Sequence, residues 1–154
     1  MPYVIYGKKD HIACITLNRP DRFNALGTEL SQQLLEAQTN FAEDDDAWVA
    51  IYTGAGDRAF CAGLDLKEVA ERGSQGGRIT VPSQHRPPPE QRKPTIAAIN
   101  GVAYGGGMEI ALGCDVRICS ENAVFALAEV KRGLCPPTGS FNLPRLIGMS
   151  NAIW

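Results

Sequence analysis

Thr95-Ile-Ala-Ala-Ile-Asn-Gly-Val-Ala-Tyr-Gly-Gly-Gly-Met-Glu109 is the stretch on which the reading of the fold turns. Its first six residues, Thr95 to Asn100, form a short apolar run bounded by turn residues, which predicts a buried strand. Gly101 and the triplet Gly105-Gly106-Gly107 predict a turn, and Met108 to Gly113 a short helix. Three glycines behind a strand let main chain approach a ligand closely, because no Cβ stands in the way. A helix beginning there aims free N–H groups and a positive dipole end at one point, an arrangement suited to an oxyanion. Taken alone, the triplet reads equally well as a tight turn with packing glycines. It is not a dinucleotide fingerprint, since Ile110 stands where the third glycine of G-x-G-x-x-G would fall. Nor is it a phosphate loop, since no Gly-Lys-Ser/Thr follows.

The same plan recurs on either side. Val116 to Ser120 predicts a further strand, and His11 to Leu17 an earlier one, stopped by the turn residues Asn18-Arg19-Pro20-Asp21. From Thr28 to Phe41 the apolar positions Leu30, Leu34, Ala37 and Phe41 recur at helical spacing, with Thr28 as N-cap. The acidic run Asp44-Asp45-Asp46 ends that helix; Trp48 to Thr53 then reads as a buried strand, turned by Gly54-Ala55-Gly56-Asp57. In Ala59-Phe-Cys-Ala-Gly-Leu-Asp-Leu-Lys-Glu68 a strand again ends in small residues, and a helix begins near Asp65, its N-cap. Strand, turn and helix alternate throughout, which means α/β architecture or a β-β-α spiral. Arg72 to Lys93, rich in Gly, Pro, Gln and Arg, predicts a long surface loop. At the end, Leu146 to Trp154 reads as the opening turn of a helix with Ser150 as cap and no C-cap after it.

With 154 residues the chain suits one domain, taken as residues 1–154. A domain of that size buries roughly 68–70% of its unfolded surface. Hydrophobic residues make up 44% of it, a globular composition. A net charge of −2 gives no basic footprint for nucleic acid. No apolar run approaches the ~18 residues that span a bilayer, and the N-terminus lacks the layout of a signal peptide. Cys14, Cys61, Cys114, Cys119 and Cys135 are odd in number and form no C-x-x-C pair, which argues against disulfides and a zinc site. Three of the five are read as sitting in apolar surroundings, packed as reduced thiols, which fits a cytoplasmic location. Neither His11 nor His85 has a partner spaced for metal or triad chemistry.

The two glycine turns taken together resemble those of the crotonase (enoyl-CoA hydratase/isomerase) superfamily. The matching segments are Asn18-Arg-Pro-Asp-Arg-Phe-Asn-Ala-Leu26, Phe60-Cys-Ala-Gly-Leu-Asp-Leu-Lys-Glu68 and Lys93 to Glu109, followed by Ala128-Glu129 and Leu143-Pro-Arg-Leu-Ile-Gly148. The resemblance implies a β-β-α spiral lacking the C-terminal helical part of that fold. It places two oxyanion donors on the backbone N–H groups of Leu64 and Gly106, and lines the coenzyme A path with Phe23, Ala25, Ala62, Asp65 and Leu66. It also implies an acyl-CoA thioester substrate, no metal, no cofactor beyond the coenzyme A of the substrate, and a homotrimer or hexamer. Charge for the coenzyme A phosphates is assigned, as a hypothesis, to Arg72, Arg78, Arg86, Arg92 and Lys93.

The family's two glutamates fall on Glu109 and Glu129. The resemblance gives Glu109 the task of polarising water for attack at C3, and Glu129 that of delivering a proton to C2. Paired carboxylates in a partly desolvated pocket do not both ionise easily, which raises one pKa toward working pH. Having both glutamates favours a hydratase-type lyase. Alternatives are a double-bond isomerase, for which Glu129 suffices, and a non-catalytic acyl-CoA-binding or assembly fragment. Leu64 is bulkier than the family's usual small residue, and Cys135-Pro-Pro-Thr-Gly-Ser-Phe-Asn142 replaces a more glycine-rich loop.

Overall fold

The computed structural model describes residues 1–74 and 93–153. Strand β1 (Val4–Lys9) makes an antiparallel hairpin with β2 (Ile12–Leu17) through Asp10 and His11, both at positive φ (49° and 65°). Positive φ at both central residues gives the twist that a two-residue hairpin needs. The 3-10 turn Pro20–Arg22 leads to helix α1 (Thr28–Glu43), and Leu30, Leu34, Ala37 and Phe41 are all buried as their spacing requires.

From there the chain winds between two sheets. Strand β3 (Val49–Gly54) lies beside β2, then β4 (Ala59–Cys61) opens a second sheet, and α2 (Leu66–Ser74) follows. Strand β5 (Thr95–Ile99) returns to the first sheet, β6 (Val102–Tyr104) joins the second, and α3 (Gly106–Gly113) follows. Strands β7 (Val116–Cys119) and β8 (Val124–Ala126) repeat the step. The sheets run in the order β1-β2-β3-β5-β7 and β4-β6-β8. Every pairing except β1 with β2 is parallel. This is the spiral alternative of the sequence reading. A 3-10 turn (Glu129–Arg132) and helices α4 (Gly139–Ile147) and α5 (Met149–Ile153) complete the described chain. None of these helices is long and apolar enough to cross a membrane.

The core lies between α1 and the two sheets, with Ile15, Leu17, Leu34, Phe41, Tyr52, Phe60 and Ala97 fully buried. Two side-chain amides tie the turns to it. Buried Asn24 accepts from Arg19 N and donates to the carbonyls of Ala55 and Ala59. Asn100 accepts from Gly54 N and donates to the carbonyls of Gly54 and Gly56. Each amide replaces ladder bonds that the turning backbone cannot make for itself.

Several expectations are corrected. Thr28 does not cap α1; it is the first helical residue, and the Glu68 carboxylate of α2 accepts its N–H and its hydroxyl instead. The helical segment α2 runs through Ser74, so residues 72–74 are not loop; residues 75–92 of the expected loop lie outside the described residues. Two cysteines rather than three are buried, Cys61 and Cys114, and all five are free. Burial pushes both buried thiols up to about 12, which removes them as thiolate nucleophiles. The last helix begins at Met149, ahead of Ser150.

Candidate active site

Two parallel strands bring the glycine turns together. Strands β4 and β6 pair with Cys61 opposite Ala103, so both chains leave the sheet at one level and Ala62–Leu64 runs beside Tyr104–Gly106. A Cβ on Gly63 (φ +84°) would stand 2.7 Å from the Tyr104 carbonyl oxygen and 3.2 Å from Gly106 N. A Cβ on Gly107 would overlap the Cys61 carbonyl. The first position needs glycine for its left-handed backbone and the close approach, the second for the approach alone.

The turns leave two amides free. A parallel bridge joins Leu26 to Leu64: Leu26 N donates to the Gly63 carbonyl at 2.7 Å and Asp65 N to the Leu26 carbonyl at 3.0 Å. Those bonds use the Gly63 carbonyl and the Asp65 N–H and leave Leu64 N out of the bridge. Gly106 is the first residue of α3, where an N–H has no partner within the helix. Among the described residues neither amide donates to a protein acceptor. Both residues line a cavity of about 550 Å³, walled mostly by apolar side chains including Leu26, Leu66 and Leu134. Two unfilled donors on one cavity wall can receive a single negative oxygen.

Both glutamates line the same cavity. Glu109, on the first turn of α3, is 5% exposed. Its Oε1 accepts the N–H groups of Thr138 (2.8 Å) and Gly139 (2.7 Å), at the start of α4. That start clamps one carboxylate oxygen and leaves Oε2 without a protein donor among the described residues. Glu129 opens the 3-10 turn, and its carboxylate faces Gly105. Its Oε2 is buried with no hydrogen-bond partner among the described residues. Burial pushes this carboxyl above its ordinary range; its own backbone N–H opposes the rise and the Glu109 charge adds to it.

Of the residues expected at the site, Ala62, Leu64, Leu66, Gly106, Glu109 and Glu129 share this cavity, while Phe23, Ala25 and Asp65 do not line it. Asp65 is buried under the first turn: Oδ2 pairs with Arg19 Nη1 at 2.8 Å and Oδ1 accepts the N–H groups of Lys67 and Glu68. Desolvation would raise its pKa, but the Glu68 N–H and the Arg19 guanidinium outweigh that and hold it below the usual carboxylate range. Phe23 is 42% exposed, with the Arg58 guanidinium 4.5 Å above its ring, and its carbonyl accepts Ala62 N. Ala25 is packed inside. Lys93, one of the cations assigned to phosphate, instead donates Nζ to the carbonyls of Phe41 and Asp44, satisfying the C-terminus of α1. Arg78, Arg86 and Arg92 lie outside the described residues, as does the side chain of Arg72. The sequence reading missed Thr138 and Gly139 as the clamp on Glu109, and missed Lys131, Arg132 and Pro137 in the cavity wall. Only the three-residue step from Glu129 to Arg132 could have signalled one of them.

The family model described as enoyl-CoA hydratase/isomerase matches residues 7–153. The chain is similar to (E)-benzylidenesuccinyl-CoA hydratase of Thauera aromatica, 41% identical over 152 residues that cover 94% of this chain and 57% of that protein. It is similar to short-chain-enoyl-CoA hydratase of Clostridium acetobutylicum, at 39% identity, covering 97% of this chain and 59% of the relative. The crystal structure of enoyl-CoA hydratase from Bacillus anthracis superposes with a TM-score of 0.86 at 37% identity, covering 97% of this chain and 60% of that one. The chain thus spans somewhat under two thirds of the length of these relatives.

Proposed function

The chain belongs to the enoyl-CoA hydratase/isomerase family, and from that premise we propose that its cavity serves the addition of water across the 2,3 double bond of an enoyl-CoA thioester. The observation that carries this reading is the meeting of Glu109 and Glu129 with the unfilled amides of Leu64 and Gly106 around one cavity. The thioester oxygen sits on those two amides, which draws electrons from C3 and stabilises the enolate as water adds. Each such donor is worth about 2.7–4 kcal/mol in the transition state. Glu109, with Oε1 clamped, uses Oε2 to take a proton from the water whose oxygen bonds C3. Glu129, its carboxyl raised toward the protonated form, gives its proton to C2. One proton is taken and one delivered, so the pair is reset by exchange between the two carboxyls or with solvent.

The clamp on Glu109 favours hydration over isomerisation, which needs only Glu129 as shuttle. Coenzyme A enters as part of the substrate, and no step calls for a metal. The exposed apolar side chains along residues 116–153, among them Ile118, Val130, Phe141 and Met149, support self-association as a homotrimer or hexamer.

The test follows loss of the conjugated thioester absorbance of crotonyl-CoA. Glu109→Gln and Glu129→Gln should each lower kcat by roughly 10²–10⁴-fold while crotonyl-CoA still binds. Tight binding by the unaltered chain with no turnover would replace this reading with a non-catalytic acyl-CoA-binding one.

A further inference from the structure

Lys131 and Arg132 have no place in the reaction just described, yet both line the cavity. They belong to the 3-10 turn Glu129–Arg132 that carries Glu129. Three residues make one turn of such a helix, so Arg132 stands over Glu129 on the same face, displaced along the axis by about 6 Å. Both are exposed, and among the described residues neither forms an ion pair: the four that occur involve Lys8, His11 and Arg19. Two cations that line one cavity without a carboxylate partner among the described residues are placed to meet an anion brought by a ligand.

We propose that Lys131 and Arg132 form an oxyanion subsite that selects acyl groups carrying a carboxylate at the end remote from the thioester. This deepens the hydratase reading and rests on it. A carboxylate entering unaccompanied would meet the negative charge of Glu109, the same charge that helps to raise the Glu129 carboxyl; the two cations offset that field. The phosphates of coenzyme A present the same oxyanion chemistry. The acyl tail is the better fit, because the cations share a turn with the carboxyl proposed to protonate C2. They therefore sit beside the acyl carbons, whereas the phosphates lie beyond the long pantetheine arm.

The experiment measures binding of adipoyl-CoA and hexanoyl-CoA, saturated thioesters of equal chain length that cannot be hydrated. Calorimetry on the full chain should show adipoyl-CoA bound at least ~10-fold tighter, a difference of about 1.4 kcal/mol. Lys131→Gln/Arg132→Gln should erase most of that ratio, and the single Arg132→Gln part of it. Equal affinities in the unaltered chain, or failure to bind either thioester, overturn the proposal. Equal weakening of both thioesters in the double variant also overturns it and assigns the cations to the phosphates. Selective binding of adipoyl-CoA without hydration of 2-hexenedioyl-CoA or 2-hexenoyl-CoA keeps the subsite and removes the hydratase reading, so the two failures are distinct.

Discussion

The turn after β4 and the turn after β6 present their amides to one cavity, but different forces hold them. The first, Ala62–Leu66, rests on a buried ion pair: Asp65 caps α2 and is itself gripped by Arg19, a residue far upstream. The second, Tyr104–Gly107, rests on packing, with Gly107 pressed on the Cys61 carbonyl and Gly105 N bonded to the Ala126 carbonyl at 2.8 Å. The carboxylates beside them are shifted in opposite directions. Asp65 is held below its ordinary pKa, and Glu129, facing Gly105, is held above it. A group bound in its charged form serves as an anchor. A group whose charged form is disfavoured costs stability and is suited to proton transfer.

Removing the anchor of the first turn should have the largest effect on stability. Asp65→Ala leaves Arg19, whose side chain is only 15% exposed, without its counter-charge. Breaking a buried pair from one side typically costs about 3–5 kcal/mol, read as a lower urea midpoint. The sign with pH is fixed by the depressed pKa. The contribution of Asp65 is fully present above its unfolded pKa and is lost as pH falls through the folded value, so the gap between variant and parent should close in acid. A gap constant down to pH 2 would mean that the first turn, too, is held by packing.

Gly107→Ala attacks the second turn in the corresponding way. Its Cβ overlaps backbone rather than a flexible side chain, so β4 and α3 must separate. Overpacking of this kind costs about 1–3 kcal/mol. No titratable group is involved, so the loss should be the same at pH 7 and pH 4. It should also lower kcat more than the stability loss explains, because Gly106 N moves with the helix. A pH-dependent loss would break the contrast between the turns.

Each of these turns was legible in sequence because glycine spacing, a run of small residues and an N-capping Asp are local signals; that the two work together was implied only by the family resemblance. The buried face of α1 was legible for the same reason, its period. What held the turns was not. Arg19 reaches Asp65 only through the fold, and the Asp65 cap read from its position gave no hint of a cationic partner. Strands β6 and β8 have three residues each, too few to show alternation. The β1–β2 hairpin turns on Asp10-His11, without the glycine that marks such turns. Helix α4, whose start clamps Glu109, contains Pro144, which reads as a helix breaker. Both donors to Glu109 are main-chain amides, and no side-chain pattern reports them.

Glu129→Gln tests the other half of the charge contrast. A carboxyl with a raised folded pKa is best tolerated when protonated: the folded state is favoured below the unfolded pKa, and that advantage is lost as pH rises through the folded value. The neutral isostere should therefore raise Tm at pH 7, even as it lowers the rate of hydration. The gain should fade as pH drops below the unfolded pKa, where the Glu129 carboxyl becomes protonated in both states. Opposite pH trends for Asp65→Ala and Glu129→Gln would establish that the two carboxylates do different tasks. Parallel trends would show that Glu129 is a second anchor.

The smallest effect is expected at Leu64, and it sharpens the comparison most. Its proposed role belongs to the main chain, and its amide is left free by bonds on either side: Leu26 N to the Gly63 carbonyl and Asp65 N to the Leu26 carbonyl. Neither bond involves the Leu64 side chain. Leu64→Ala should therefore keep the donor in place and change kcat on crotonyl-CoA by less than about three-fold, far below the 10²–10³ of a lost oxyanion donor. Because the side chain lines the cavity, longer enoyl-CoAs should gain relative to crotonyl-CoA. A hundred-fold fall in kcat with an unchanged urea midpoint would mean that the Leu64 side chain, rather than the ion pair beneath it, aims the amide. Both turns would then depend on packing at the cavity wall, and the Asp65–Arg19 pair would serve stability alone.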